Sequence, residues 1–266
     1  MKKIRLIYRL LGIAFVLILF CTGVFSSSIF IRNKVKRHKK TSRLFQILTK
    51  VLMYIMGFTI KAEGREYLKL NKNYLIVANH IGYIDIPLLQ FFIHNNFFIS
   101  HHEVREDSPF LNFIASKAGS YFIERRNLQK LRKELRDTTE LLQKGFHVVM
   151  FPEGTSTNGE KILPFHPPFF SIAIRSKTPV LPVYINYEKI EHQDLNIQNR
   201  DLIYWYDNKT SFKDHFLKLL QLKSINVNVK FLPPLNPENK TSRLLAKESR
   251  EQIQKHFTGF HYTEPV

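Results

Sequence analysis

The chain has 266 residues, enough for one domain with a sizeable core and an appendage. Its formal net charge of +18 is concentrated: residues 1–62 hold 13 Lys/Arg and no acids, and the remaining 27 Lys/Arg face 22 Asp/Glu. That distribution disfavours a nucleic-acid binder, which would carry the charge on its folded body within a recognisable module, and the single cysteine, Cys21, excludes an internal disulfide and a cysteine-rich zinc site.

Lys2, Lys3, Arg5 and Arg9 precede residues 10–31, a run of 22 residues without a charge. As a helix this run would span ~33 Å, the thickness of a bilayer core. Arg32, Lys34, Lys36, Arg37, Lys39 and Lys40 follow, so the two flanks are both basic and orient the run weakly. A cleaved signal peptide is the less favoured alternative, since the run is long for one and the second basic cluster would sit just after any cleavage point. Residues 44–56 form a second apolar stretch. They suit a helix in the membrane interface or packed on the first, and equally an ordinary core helix. The expected organisation is a membrane-anchoring segment over residues 1–62 and a folded domain over residues 63–266.

The folded part alternates. Strands are predicted at 75–78, 97–100, 121–123, 148–151, 180–185 and 227–232. Leu128, Leu131, Leu135, Thr138 and Leu142 mark one face of a helix that Gly145 ends. A tail helix over 242–256 carries Leu244, Leu245 and Ile253 among charges. Residues 188–224 carry no clear signal. The expected fold class is α/β, a mixed sheet flanked by helices, with a hydrophobic two-helix membrane-seated segment at the N-terminus.

Two of the strands run into polar turns. Residues 75–78 lead to Asn79-His80-Ile81-Gly82-Tyr83-Ile84-Asp85, and residues 148–151 to Pro152-Glu153-Gly154-Thr155-Ser156. Were these strands neighbours, His80, Asp85 and Glu153 would share one crevice at the strand ends, where open α/β sheets bind ligands. A histidine can take a proton from a hydroxyl, and a carboxylate on its other ring nitrogen sets the tautomer. In one continuous helix the two side chains would lie ~140° apart. The pair therefore needs a turn, which Gly82 allows, with Pro87 near the start of a helix beyond. Taken alone, H-x4-D also fits a histidine ending a strand and an aspartate capping a helix. His101-His102-Glu103 lacks the spacing of a helical zinc site, residues 154–161 miss the phosphate-loop pattern, and no G-x-S-x-G elbow exists.

Two further blocks complete a set: Gly119-Ser120-Tyr121-Phe122-Ile123-Glu124-Arg125 and Pro179-Val180-Leu181-Pro182-Val183. In this order and spacing the four blocks resemble the glycerolipid acyltransferase family, best known for lysophosphatidic acid acyltransferases, from about Asn73 to about Asn186. The family's blocks read approximately H-x4-D, G-x-x-F-I-x-R, F-P-E-G-T and V-P-V. The resemblance implies a membrane-bound enzyme that moves a fatty acyl group from a thioester, acyl-CoA or acyl-carrier protein, to the hydroxyl of a lysophospholipid, most directly lysophosphatidic acid. It implies no metal and no prosthetic group. His80 would be the general base and Asp85 its orienter. Arg125 would hold the acceptor's phosphate, since a guanidinium fits phosphate bidentately. Glu153 would order glycerol hydroxyls or the loop, Gly154 would let the backbone approach substrate, and Thr155 completes the substrate-binding set. The expected place is a cell inner membrane or its equivalent, with the site on the cytoplasmic face.

The chain departs from the family where cations are usual. His101-His102 replaces a lysine pair, Ser156 stands where arginine often follows E-G-T, and Pro164-Phe165-His166-Pro167-Pro168 replaces P-F-K-x-G. These departures put the head group in question rather than the reaction. A lyso-ornithine lipid or a lysophospholipid with a larger head group remains an alternative acceptor. A non-catalytic lipid-binding scaffold and a hydrolase or transacylase using the same His–Asp pair are the competing classes.

Overall fold

The computed structural model describes residues 1–69, 71–101, 119–123, 128–206 and 210–260. Two long helices come first, α1 (Lys2–Phe30) and α2 (Lys34–Ile55), followed by β1 (Phe58–Glu63). Then come β2 (Leu75–Ala78), α3 (Asp85–Phe92), β3 (Asn96–His101), β4 (Ser120–Ile123), α4 (Leu128–Gln143) and β5 (His147–Met150). The chain continues through α5 (Ser171–Ser176), β6 (Val180–Ile190), β7 (Gln193–Asp194), α6 (Phe212–Leu219), β8 (Ile225–Phe231) and α7 (Ser242–Gln254).

The strands form one mixed sheet in the order β1-β8-β6-β2-β5-β3-β4, with β7 pairing the end of β6. From β6 to β4 all neighbours are parallel, whereas β8 runs against β6 and β1 runs with β8. Alternate residues of a strand face opposite sides, and here both sides are covered. Leu75 and Val77 of β2 enter the core under α4, α5 and α7, while Ile76 and Ala78 enter the core under α2 and α3. This is the expected mixed sheet between helices. The predicted strands 180–185 and 227–232 differ at their ends. β6 continues to Ile190 and β8 begins at Ile225, because the two pair antiparallel from Val183 opposite Phe231 to Ile190 opposite Ile225. The sheet begins at Phe58, upstream of the 62/63 division.

Both N-terminal helices start earlier than their apolar runs. α1 takes in Arg5 and Arg9, whose guanidinium groups donate to carbonyls beyond the C-terminal end of α6. Arg9 Nη1 reaches Leu220 O at 3.1 Å and Leu222 O at 2.5 Å, and Arg5 Nη1 reaches Gln221 O at 2.6 Å. Cations are favourable at such an end. These two arginines are thus bound to the folded body rather than free to flank a bilayer. α2 begins at Lys34, with the Asn33 side chain accepting from Lys36 N, so the second basic cluster is helical too. Among the described residues, only α1 is long and apolar enough, by length and composition, to cross a membrane.

α1 and α2 form an antiparallel pair, with Gly12 beside Ile55, Gly23 beside Leu44 and the Phe20 and Phe45 rings 5.1 Å apart. α2 in turn lies along the body for most of its length. His38 Nε2 meets Asn96 O at 3.1 Å near its start, and Met53 is in the main core near its end. The outer face of the pair, including Ile4, Leu11, Phe15, Ile18, Phe25 and Ile47, is exposed.

Candidate active site

The site begins where β2 leaves the sheet. β2 and β5 are paired neighbours, with Leu75, Ile76 and Val77 opposite Val148, Val149 and Met150. Their C-terminal ends lie side by side, so the two polar turns are brought together as their pattern predicts. Asn79 prolongs the ladder on the β6 side: its side chain donates to Ile185 O at 3.0 Å and accepts from Ile185 N at 2.8 Å.

His80 follows, with its side chain 19% exposed and its ring stacked on Phe151 at 4.0 Å between centroids. Its Nδ1 lies 2.8 Å from Asp85 Oδ2, and Asp85 is fully buried as the first residue of α3. The same oxygen accepts from Ile81 N at 2.7 Å and Gly82 N at 3.2 Å, and Oδ1 accepts from the Tyr187 hydroxyl at 2.9 Å. A buried carboxylate needs such donors to remain charged. With Nδ1 donating to Asp85, the lone pair of a neutral His80 sits on Nε2. The turn between the two residues does form, though not through a left-handed glycine. Gly82 gives room for close approach: a Cβ there would stand 3.1 Å from Trp205 N, and Trp205 N donates to Ile81 O at 2.9 Å.

Glu153 joins the two turns. Its Oε1 accepts from His80 N at 2.9 Å, its Oε2 from Leu163 N at 2.7 Å, and the residue is 4% exposed. Each oxygen thus receives one backbone donor, which ties the turn after β2 to the loop at Leu163. Burial pushes the Glu153 carboxyl up to about 7, against the two backbone donors and the His80 ring that hold it down. A carboxyl raised above its unfolded value contributes stability that is full below the unfolded pKa and is lost as pH rises through the folded one. The wild type is therefore expected to lose on the order of 3 kcal/mol between pH 5 and pH 8 relative to Glu153→Gln. Urea unfolding of both proteins at the two pH values measures this; a constant difference would contradict it.

Gly154 adopts a left-handed φ of 78° and closes a turn through its N–H to Phe151 O at 3.1 Å. Thr155 beside it is exposed. Arg125, and with it Glu124, His102 and Glu103, lies outside the described residues.

Several neighbours of the pair carried no sequence signal. Thr157 N donates to His80 O at 2.9 Å. The Tyr83 hydroxyl, inside the H-x4-D turn, lies 2.9 Å from His215 Nδ1, and its ring meets Trp205, Phe212 and Phe216 edge-on. Tyr187 is the contact of most consequence. Burial and the adjacent Asp85 push its phenol well above the ordinary value, so it is present as the donor. Its only trace in the sequence is that it lies two residues beyond Ile185 on the same face of a strand. Tyr187→Phe is expected to cost about 1.5–3 kcal/mol of stability. It should also lower kcat, because Asp85 is then held less firmly against His80. An unchanged kcat would argue against this coupling.

Comparison with known proteins gives a consistent set. An acyltransferase family model matches residues 59–186. The lyso-ornithine lipid O-acyltransferase of Rhodobacter capsulatus is 28% identical over 76% of this chain and 71% of its own length. That of Pseudomonas aeruginosa is 31% identical over 68% of this chain and 66% of its own. The crystal structure of the 1-acyl-sn-glycerophosphate (LPA) acyltransferase PlsC from Thermotoga maritima is similar over 97% of this chain and 96% of that one, with a TM-score of 0.69 and 26% identity.

Proposed function

The chain belongs to the glycerolipid acyltransferase family, acting on lysolipids, and from that premise we propose that it is a membrane-bound enzyme moving a fatty acyl group from a thioester to a lysolipid hydroxyl. The observation that carries the chemistry is the His80 Nδ1 to Asp85 Oδ2 contact of 2.8 Å at the joined ends of β2 and β5. His80 Nε2 takes the proton of the acceptor hydroxyl as its oxygen attacks the thioester carbonyl. Asp85 steadies the imidazolium that forms. The tetrahedral adduct collapses to the new ester, and the departing thiolate takes the proton back. No acyl-enzyme is required, and acyl-CoA or acyl-carrier protein is the donor.

The motif resemblance supports lysophosphatidic acid as acceptor, giving phosphatidic acid, with Arg125 at its phosphate and Gly154 and Thr155 near its glycerol. A second reading, lyso-ornithine lipid, is favoured by the relatives of that name and by Ser156 and His166 standing where cations are usual. A radiolabelled acyl-CoA and acyl-carrier protein assay against a panel of lysolipids tests both. Release of free fatty acid alone would mark a hydrolase, exchange between phospholipids a transacylase, and no turnover a scaffold.

The exposed apolar face of α1 and α2 supports the membrane reading. Because α2 is docked along the body and Arg9 ties α1 to the same body, the pair lies flat in one leaflet rather than crossing it. Thioesters are made in the cytosol, so that leaflet is the cytoplasmic one. In a Cys21→Ser background, Asn33→Cys should react with an impermeant maleimide from the side that carries the catalytic body. Reaction only from the opposite side would show that the pair spans.

A further inference from the structure

A cavity of about 200 Å³ lies next to the candidate active site. Asn79 and Ile81, the chain neighbours of His80, form part of its wall, and Glu153 forms another part. Its other charged lining residues, among the described ones, are Lys161, Glu188 and Asp194. Asp194 is already spoken for, 3.2 Å from Lys189 Nζ. Among the described residues the carboxylate of Glu188 and the ammonium of Lys161 have no hydrogen bond or ion pair, either with each other or with another group. One anion and one cation thus line the same cavity, neither hydrogen-bonded nor ion-paired, with Lys161 acting electrostatically on Glu160 beside it.

That wall suits a ligand bearing both charges. Among the described residues of the wall, a phosphate monoester would meet one ammonium and would also face the like charge of Glu188. An amino-acid head group presents an ammonium and a carboxylate together. We propose that this cavity selects a lysolipid with a zwitterionic amino-acid head group, Glu188 receiving the ammonium and Lys161 the carboxylate. The proposal rests on the acyl-transfer reading above and concerns the head group alone. With the head group seated there, a hydroxyl a few bonds away is held near His80, because the cavity wall and the base belong to the same turn.

The test uses the full-length enzyme in mixed micelles, with acyl-CoA and acyl-carrier protein donors supplied separately. The acceptors are lyso-ornithine lipid and lysophosphatidic acid. The readout is the ratio of their kcat/KM values in wild type, Glu188→Gln, Glu188→Asp and Lys161→Gln. The ratio is expected to fall roughly 10- to 100-fold in the two glutamine variants, through the KM of lyso-ornithine lipid, the size of a lost charge-assisted contact. Glu188→Asp should recover part of it. Lys161 is exposed, so its variant reads the cavity even if Glu188→Gln misfolds. A wild type that accepts lysophosphatidic acid alone, or glutamine variants with an unchanged ratio, overturns the proposal while leaving acyl transfer standing. A wild type inert with every lysolipid overturns both.

Discussion

His80→Ala is expected to lower turnover by about 10²–10⁴-fold, the usual contribution of a positioned general base, with little change in stability. The side chain is partly exposed and stacks on Phe151, so its removal opens no large cavity in the core. Asp85 would still accept from Ile81 N, Gly82 N and the Tyr187 hydroxyl, and its buried charge would stay solvated by the protein. The loss should therefore fall on kcat, with the acceptor's KM nearly unchanged, because the hydroxyl loses its proton acceptor and not its binding contacts. Steady-state kinetics with labelled acyl donor, paired with a urea melt, separates the two. Near-wild-type transfer by the purified, folded variant would sink the mechanism.

Asp85→Asn should be at least as damaging, toward ~10⁴-fold by analogy with the carboxylate of serine-hydrolase triads. The geometry explains why the amide has no good orientation. With its oxygen in the Oδ2 place, His80 and Ile81 N keep an acceptor, and the Tyr187 hydroxyl can rotate to accept from the amide nitrogen. The negative charge that stabilises the imidazolium is nevertheless gone. With the amide turned over, its N–H groups face Ile81 N and Gly82 N, and His80 Nδ1 becomes the acceptor. The ring then presents Nε2–H to the substrate and cannot act as base. A kcat within tenfold of wild type, at any pH from 6 to 9, would show that Asp85 does not govern the tautomer.

The reading of His80, Asp85 and Glu153 as one crevice needed only two local facts, visible in the chain: each residue follows an apolar strand, and each strand ends in a polar turn. Strand adjacency was then the simplest way to bury both. The proposed head-group contacts were less legible. Glu188 and Lys161 sit in separate segments, with nothing local to distinguish them from solvated charges. Arg125 rests on its motif, outside the described residues.

Sequence by itself determined the alternation of strands and helices, the two strand-end turns and the apolar length of α1, because each follows from periodicity or composition within a short window. Tertiary structure alone decided the rest. Tyr187 reaches Asp85 because β6 is hydrogen-bonded to β2, a pairing between residues more than a hundred positions apart. Arg9 is held by carbonyls after α6 although it reads as a flanking charge. The second basic cluster belongs to a helix docked on the body, since His38 meets Asn96 O near its start and Met53 buries its far end. In each case the deciding contact joins segments whose spacing leaves no periodic trace, and the partner that satisfies a buried charge is set by sheet order and not by neighbours in the chain.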